Sequence, residues 1–317
     1  MLSALAVPDP ISEVALSLVS SPGAYVLLIG SGVSRPAGIP TGWEVIESLI
    51  GRLAAADGQT RPTDPSSWYE QRTGHKPTYG ELIESLAPLP AERSALLTSF
   101  FEPNQGERER GLKQPTAAHR AIAELVDLGV VRVVVTTNFD RLLEMALAER
   151  GINASVVSTD DDLGGLPPLT QVRCVVVKVH GDYLDTRIRN TADEVAQLDP
   201  DLSTWLQTLF SQYGVVVAGW SGDYDAGLRG VIDAAAQPQY GAYWTHRSEL
   251  TPLADQLAQH RNARRIKITD ADSFFTRLLE SVKSVRDLLE HGPLDEEIAV
   301  ATAKRHLAAP GGRDRPQ

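Results

Sequence analysis

A chain of 317 residues, 42% hydrophobic and 22% charged, has the composition of a globular protein rather than a disordered or fibrous one. Thirty basic against 41 acidic residues leave a net charge of −11, which repels phosphate backbones and argues against direct nucleic-acid binding. The single cysteine excludes an intrachain disulfide and a structural zinc site built on Cys₄ or Cys₃His.

The longest strictly apolar run, Ala24 to Ile29, is far shorter than the roughly 20 residues of a membrane span. No Lys or Arg precedes Arg35, so the basic n-region of a secretory signal is lacking. The expectation is a reduced, soluble, cytoplasmic protein with no membrane partner.

Short runs rich in Val and Ile read as buried strands. The first is Ala24–Gly30, followed by a helix over Gly42–Ala56. Residues 57–115 hold no convincing strand and many turn residues, Arg61-Pro62-Thr63-Asp64-Pro65 among them. They read as a helical insertion held to the sheet. A helix over Thr116–Leu128 leads into a strand over Val131–Thr137, and a helix over Asp140–Glu149 follows, stopped by Gly151. After a strand over Ala154–Ser158, the residues Asp160-Asp161-Asp162, Gly164-Gly165 and Pro167-Pro168 mark 159–171 as a surface loop. The remaining strands are Val172–His180, Gly214–Trp220, Gly241–Thr245 and Arg265–Ile268, with helices over Ala226–Ala236 and Ser273–Leu289. This alternation predicts an α/β fold: a Rossmann-like, mostly parallel sheet with helices on both faces and a helical insertion. One domain is expected over 1–292, a C-terminal helix over 293–309, and a disordered tail over 310–317.

Four strand ends carry candidate chemistry. The first runs into Gly30-Ser31-Gly32-Val33-Ser34 and then Gly38-Ile39-Pro40-Thr41. A glycine pair after a buried strand lets backbone N–H groups approach a pyrophosphate, but a third fingerprint glycine would fall at Arg35, and a plain strand-to-helix turn explains the pair as well. The second ends in Thr136-Thr137-Asn138-Phe139-Asp140, where Asn138 and Asp140 are either ligand-binding or helix-capping. The strand over Val172–His180 ends in His180-Gly181, placing a neutral-range titrating group at a strand end, as a general base or a structural histidine. Cys174 lies six positions away, roughly 20 Å along a strand, and reads as core. The strand over Gly214–Trp220 ends in Gly219-Trp220-Ser221-Gly222-Asp223, a second Gly-rich turn in which Asp223 or Asp225 would cap the next helix. In a parallel sheet all four would face one crevice.

The ordered set Gly30-Ser31-Gly32-Val33-Ser34 with Gly38-Ile39-Pro40, Thr136-Thr137-Asn138-Phe139-Asp140, His180-Gly181 and Gly219-Trp220-Ser221 resembles the sirtuin superfamily. The resemblance covers about residues 20–290. Thr41-Gly42-Trp43 replaces the Asp-Phe-Arg of protein deacylases, Thr137 stands where they carry Gln, and the zinc-binding cysteine pairs are absent. In these respects the chain is similar to the zinc-less bacterial sirtuin-like domains that hydrolyse NAD in antiphage defence. Pro115-Thr116 to His119, Arg189-Asn190-Thr191 with Glu194, Tyr243-Trp244 and Phe274-Phe275 look similar to that branch as well.

The resemblance implies NAD as substrate, cleaved between nicotinamide and ribose to give ADP-ribose, with no metal required. Asn138 would orient ribose and water, and His180 would act as general base. Gly30, Ser31 and Gly32 would meet the pyrophosphate through N–H groups, with Ser34 and Thr41 in the same loop region. Gly219 and Ser221 would meet the adenosine half, and Asp140 either the ribose or the helix end. Control is expected from a homo-oligomer or a separate sensor protein. An NAD or ADP-ribose binding module without turnover, and an NAD-dependent deacylase or ADP-ribosyltransferase, stay open as alternatives.

Overall fold

Tyr25–Ile29 is buried at all five positions and forms β1. The computed structural model describes residues 9–77, 79–184, 198–223 and 225–290. Six more strands follow: β2 (Val133–Thr136), β3 (Ser155–Val157), β4 (Val175–Lys178), β5 (Gly214–Ala218), β6 (Ala242–His246) and β7 (Arg264–Lys267). They make one sheet in the order β3-β4-β2-β1-β5-β6-β7, and every pairing is parallel. Each strand lies within a run expected from the sequence or one residue beyond it, and the α/β, Rossmann-like class holds.

Apolar runs without polar alternation suit strands covered on both sides. Leu27, Ile29, Val134, Val176 and Val216 point to one face, under helices Pro10–Ser20, Ala117–Asp127, Leu142–Glu149 and Ala271–Glu290. Val26, Leu28, Val135, Val177 and Val217 point to the other, under Pro200–Gln212, Ala226–Ala234 and Pro252–His260. Three of these helices were not read from the sequence: Pro10–Ser20, Pro200–Gln212 and Pro252–His260. Their signal is present. Proline sits at the helix start in each, where it loses no hydrogen bond. Ile11, Val14, Ala15 and Leu18 bury one stripe of the first at helical spacing. The loop expected over 159–171 contains a short helix, Asp160–Gly164, closed by a Thr159–Asp162 capping box.

The insertion 57–115 is helical among its described residues: Pro65–Thr73, Tyr79–Leu86, Pro90–Phe101 and Gln105–Glu109. Its apolar residues build a third core with Val45, Leu49 and Ile50 of helix Gly42–Ala56 and with Leu142 and Tyr183 from the sheet side. Phe101 stacks against Tyr183 at 5.1 Å and Phe139 at 6.3 Å, so the insertion leans on the loops that leave β2 and β4. The expected helix over 293–309, the tail 310–317, and Arg189 to Glu194 lie outside the described residues.

The register aligns the site. Ile29 pairs with both Thr136 and Ala218, and Thr136 pairs with Lys178. Hence Gly30, Thr137, Val179 and Gly219 leave the sheet level with one another. The chain steps from β1 to β2 on one side and returns at β5 on the other. That reversal beside β1 is where open parallel sheets form a ligand crevice.

Candidate active site

Gly30 and Gly219 are pressed together backbone to backbone. The Gly30 N–H donates to the Ala218 carbonyl at 3.0 Å and the Gly32 N–H to the Gly219 carbonyl at 2.9 Å. A Cβ on Gly30 would stand 2.6 Å from the Gly219 oxygen, and Gly219 holds φ +69°, a conformation natural to glycine. The glycines therefore join the β1 and β5 turns to each other. This corrects one expectation: the Gly30 and Gly32 amides are committed inside the fold. Ser31, first residue of the turn Ser31–Ser34, keeps an N–H with no intrahelical acceptor. Thr41 is a helix cap, its hydroxyl accepting from the Glu44 amide at 3.3 Å while its own N–H donates to Glu44 at 2.7 Å.

Asn138 is 8% exposed. Its Nδ2 donates to the Gly30 carbonyl at 3.2 Å and to Ser34 Oγ at 3.0 Å, while its Oδ1 is buried without a partner. Ser34 is buried and lies 3.3 Å from His119 Nε2. The Thr116 N–H donates to His119 Nδ1 at 3.2 Å, so the proton of the neutral ring is on Nε2 and points to Ser34. Burial pushes the pKa of His119 down, against a smaller upward pull from Asp140 and Asp272. Asp140, one residue before the N-cap Arg141, satisfies the start of its helix, Oδ1 accepting from the Leu142 amide at 3.0 Å. This is the capping alternative that the sequence left open.

His180 is buried, with Nε2 2.9 Å from Oδ2 of the equally buried Asp225. Its Nδ1 is buried and has no partner. A buried unpartnered polar atom costs roughly 1–3 kcal/mol, and here two of them, Asn138 Oδ1 and His180 Nδ1, sit at the ends of neighbouring strands β2 and β4. Ser221 is exposed, its Oγ accepting from the Asp223 amide at 3.4 Å.

Lys178 underpins both catalytic candidates. Its side chain is wholly buried, and Nζ donates to the Phe139 carbonyl (3.2 Å), the Asp140 carbonyl (2.6 Å) and Asp182 Oδ2 (2.9 Å). An ammonium has three protons, so Glu144 Oε1, 3.0 Å away, gains charge attraction but no hydrogen bond. Burial accordingly pushes the Glu144 pKa up, with the Lys178 charge a smaller opposing pull. Arg141 reaches Asp182 at 3.4 Å. The loops carrying Asn138 and His180 are thus tied through one buried cation. Tyr183, beside His180-Gly181-Asp182, donates to Glu102 of the insertion at 2.9 Å.

Sequence reasoning missed Lys178 and the partnership of Asp225 with His180. Lys178 carried a signal, a charged residue closing an apolar run. The Asp225 contact spans 45 residues, and only its capping propensity was visible. Cys174 is core as expected, fully buried, its thiol pushed up to about 12 by burial. A cleft of about 710 Å³ lies further along the same edge, lined by Arg247, Ser248, Lys267, Ile268 and Thr269. It sits at the ends of β6 and β7, roughly 10 Å of strand spacing from β5. Among the described residues no group of three or more His, Cys, Asp or Glu is placed to hold a metal ion, and no helix is long and apolar enough to cross a membrane.

The SIR2-like domain family matches residues 132–268. These residues are similar to a SIR2-like domain. The match runs from the start of β2 to the end of β7 and includes Asn138, His180, Gly219 and Asp225. The Gly30–Ser34 turn precedes the matched stretch and joins it through β1. Two relatives carry telling names. Defense-associated sirtuin 2 of Bacillus subtilis is 25% identical over 169 residues, 49% of this chain and 16% of that protein. NAD-dependent protein deacylase 2 of Archaeoglobus fulgidus is 29% identical over 142 residues, 45% of this chain and 44% of that protein. The chain thus matches less than half the length of either. Among solved structures, the crystal structure of a Sir2 homolog–NAD complex aligns over 86% of this chain and 94% of its own, at 17% identity and a TM-score of 0.48.

Proposed function

We propose that this chain hydrolyses NAD at the bond between nicotinamide and its ribose, releasing nicotinamide and ADP-ribose, as an effector of antiphage defence. The observation that carries the reading is the pair of buried, unpartnered acceptors, Asn138 Oδ1 and His180 Nδ1, at the crevice beside β1. Both match hydroxyl or water donors. The kinship with a protein named a defence-associated sirtuin supports the physiological part.

The C1′–N bond breaks with its electron pair leaving on nicotinamide. That group departs as a neutral ring from a cationic one, so no strong acid is required. The sugar passes through an oxocarbenium-like state, as in glycoside hydrolysis. Asn138, its Nδ2 anchored on Gly30 and Ser34, offers Oδ1 to a ribose hydroxyl or the incoming water. Water bonds to C1′ and yields its proton to His180 Nδ1, a general-base contribution of roughly 10²–10⁴-fold. The Ser31 amide faces the pyrophosphate, Gly219 and Ser221 line the path to the adenosine half, and the Arg247–Lys267 cleft takes its far end. The fixed field of a −11 chain leaves anion binding to such local donors. Cytoplasmic location and control by self-association or a sensor protein belong to the same proposal.

A second reading, NAD-dependent deacylation, is favoured by the 29% match to a protein so named. Chromatography of NAD, nicotinamide and ADP-ribose, with and without an acetylated peptide and across protein concentration, separates the two. Hydrolysis without peptide, abolished in Asn138→Ala and His180→Ala, is expected. NAD loss that requires the peptide selects the second reading, and full activity in both variants overturns the site assignment.

A further inference from the structure

We infer that Asp225 is the positioning residue of His180, holding the ring in the Nε2–H tautomer so that its Nδ1 lone pair is the base. The inference rests on the reading of His180 as general base and adds a residue to it.

A carboxylate has no proton to donate, so the 2.9 Å contact between Asp225 Oδ2 and His180 Nε2 places the ring proton on Nε2. Nδ1 is then an acceptor, and it is the ring atom without a partner. Asp225 is itself held tightly. Its Oδ1 accepts from the Leu228 amide at 3.2 Å as the N-cap of helix Ala226–Ala234. Arg229 from that helix donates to the Gly222 and Asp223 carbonyls, clamping the turn ahead of the cap. With both oxygens used and the side chain 7% exposed, the carboxylate has little freedom to turn away.

The placement also has a direction. His180 follows β4 and Asp225 follows β5, and in the sheet β2 and β1 lie between those strands. The strand ends are three spacings apart, roughly 14 Å, and the loop from β5 to Asp225 together with the two side chains closes that span. The pair therefore bridges the crevice over the ends of β2 and β1, where Asn138 and Gly30 stand. When Nδ1 takes a proton, the imidazolium forms against a fixed, buried carboxylate, the arrangement that orients histidine bases in hydrolytic triads.

Two substitutions separate this role from helix capping. Asp225→Ser keeps a good N-cap but is too short to reach His180. In Asp225→Asn the amide oxygen continues to cap, and the NH₂ donates to Nε2, turning the ring into the Nδ1–H tautomer. The expected result for each is a fall in kcat of roughly 10²–10⁴-fold with KM for NAD within threefold. In parallel, ¹⁵N NMR of the histidine-labelled full chain reads the ring directly. The parent shows Nε2–H for His180 and Asp225→Asn shows Nδ1–H, whether or not turnover is measured. Activity of Asp225→Ser within threefold of the parent, or an Nδ1–H ring in the parent, overturns the inference. His180→Ala distinguishes the levels. If it is inactive while Asp225→Ser is active, the positioning role alone fails; if it is fully active, the base assignment fails with it.

Discussion

Replacing Lys178 by Met tests whether one buried cation holds the two loops that carry Asn138 and His180. Methionine fills the aliphatic stem but removes three hydrogen bonds, to the Phe139 carbonyl, the Asp140 carbonyl and Asp182. It also leaves the Asp182 carboxylate, its side chain 8% exposed, without its closest partner. Breaking a buried pair by removing one side costs roughly 3–5 kcal/mol. Arg141, 3.4 Å from Asp182 and 40% exposed, keeps part of the compensation, so the low end, about 3 kcal/mol, is expected. At roughly 2–4 °C per kcal/mol for a chain this large, the unfolding midpoint drops by about 6–12 °C. Scanning calorimetry measures it, and NAD consumption well below both midpoints reads the loosened Asn138 loop. Adding Asp182→Asn removes the stranded charge and recovers at least about 1 kcal/mol of the loss through coupling. A midpoint within 2 °C of the parent, or strict additivity in the double variant, refutes the reasoning.

Glu144→Gln should stabilise the protein at neutral pH. The fold raises the Glu144 pKa above 4.5, so its neutral form is the favoured one; that stability is present below about 4.5 and lost as pH rises through the raised value. Urea midpoints for parent and variant should converge near pH 4 and separate above it; a constant gap would contradict this. For His119 the sign reverses, because burial lowers its pKa from 6.5. Its stability is present above about 6.5 and lost as pH falls toward the lowered value, a dependence that His119→Gln should remove from the thermal midpoint. Gly30→Ala drives a methyl to 2.6 Å from the Gly219 oxygen and 2.7 Å from Trp220 Cα. Since neither is a flexible side chain, the turns must part, at about 1–3 kcal/mol and with slower NAD consumption. An unchanged denaturant midpoint would show that the turns are not packed as described.

The strands were the most legible feature, because a run such as Val133–Thr136 or Val175–Lys178 is apolar at nearly every position only when both faces of a sheet are covered. The helices Pro200–Gln212 and Pro252–His260 carry local signals too: Asp199-Pro200 and Thr251-Pro252 are cap-plus-proline starts of the kind short-range rules describe. Thr41 and Asp140 mark a limit of such rules. Both residue types suit a ligand and a helix start alike, and only the hydrogen bonds to Glu44 and Leu142 show where their oxygens are spent.

By itself the sequence determined the sheet class, the burial of Cys174 and the four polar strand ends, since each follows from residues within a few positions of one another. Tertiary structure alone decided how those ends combine. Strand order set β5 against β1, which turned Gly30 and Gly32 from free phosphate donors into a backbone seam with Ala218 and Gly219. The same order brought Asp225 to His180 and gave Lys178 its three carbonyl and carboxylate acceptors. Hydrophobic periodicity reports which face of an element is buried but not which element lies beside it. Partnerships across the crevice therefore appear only once the strands are in order.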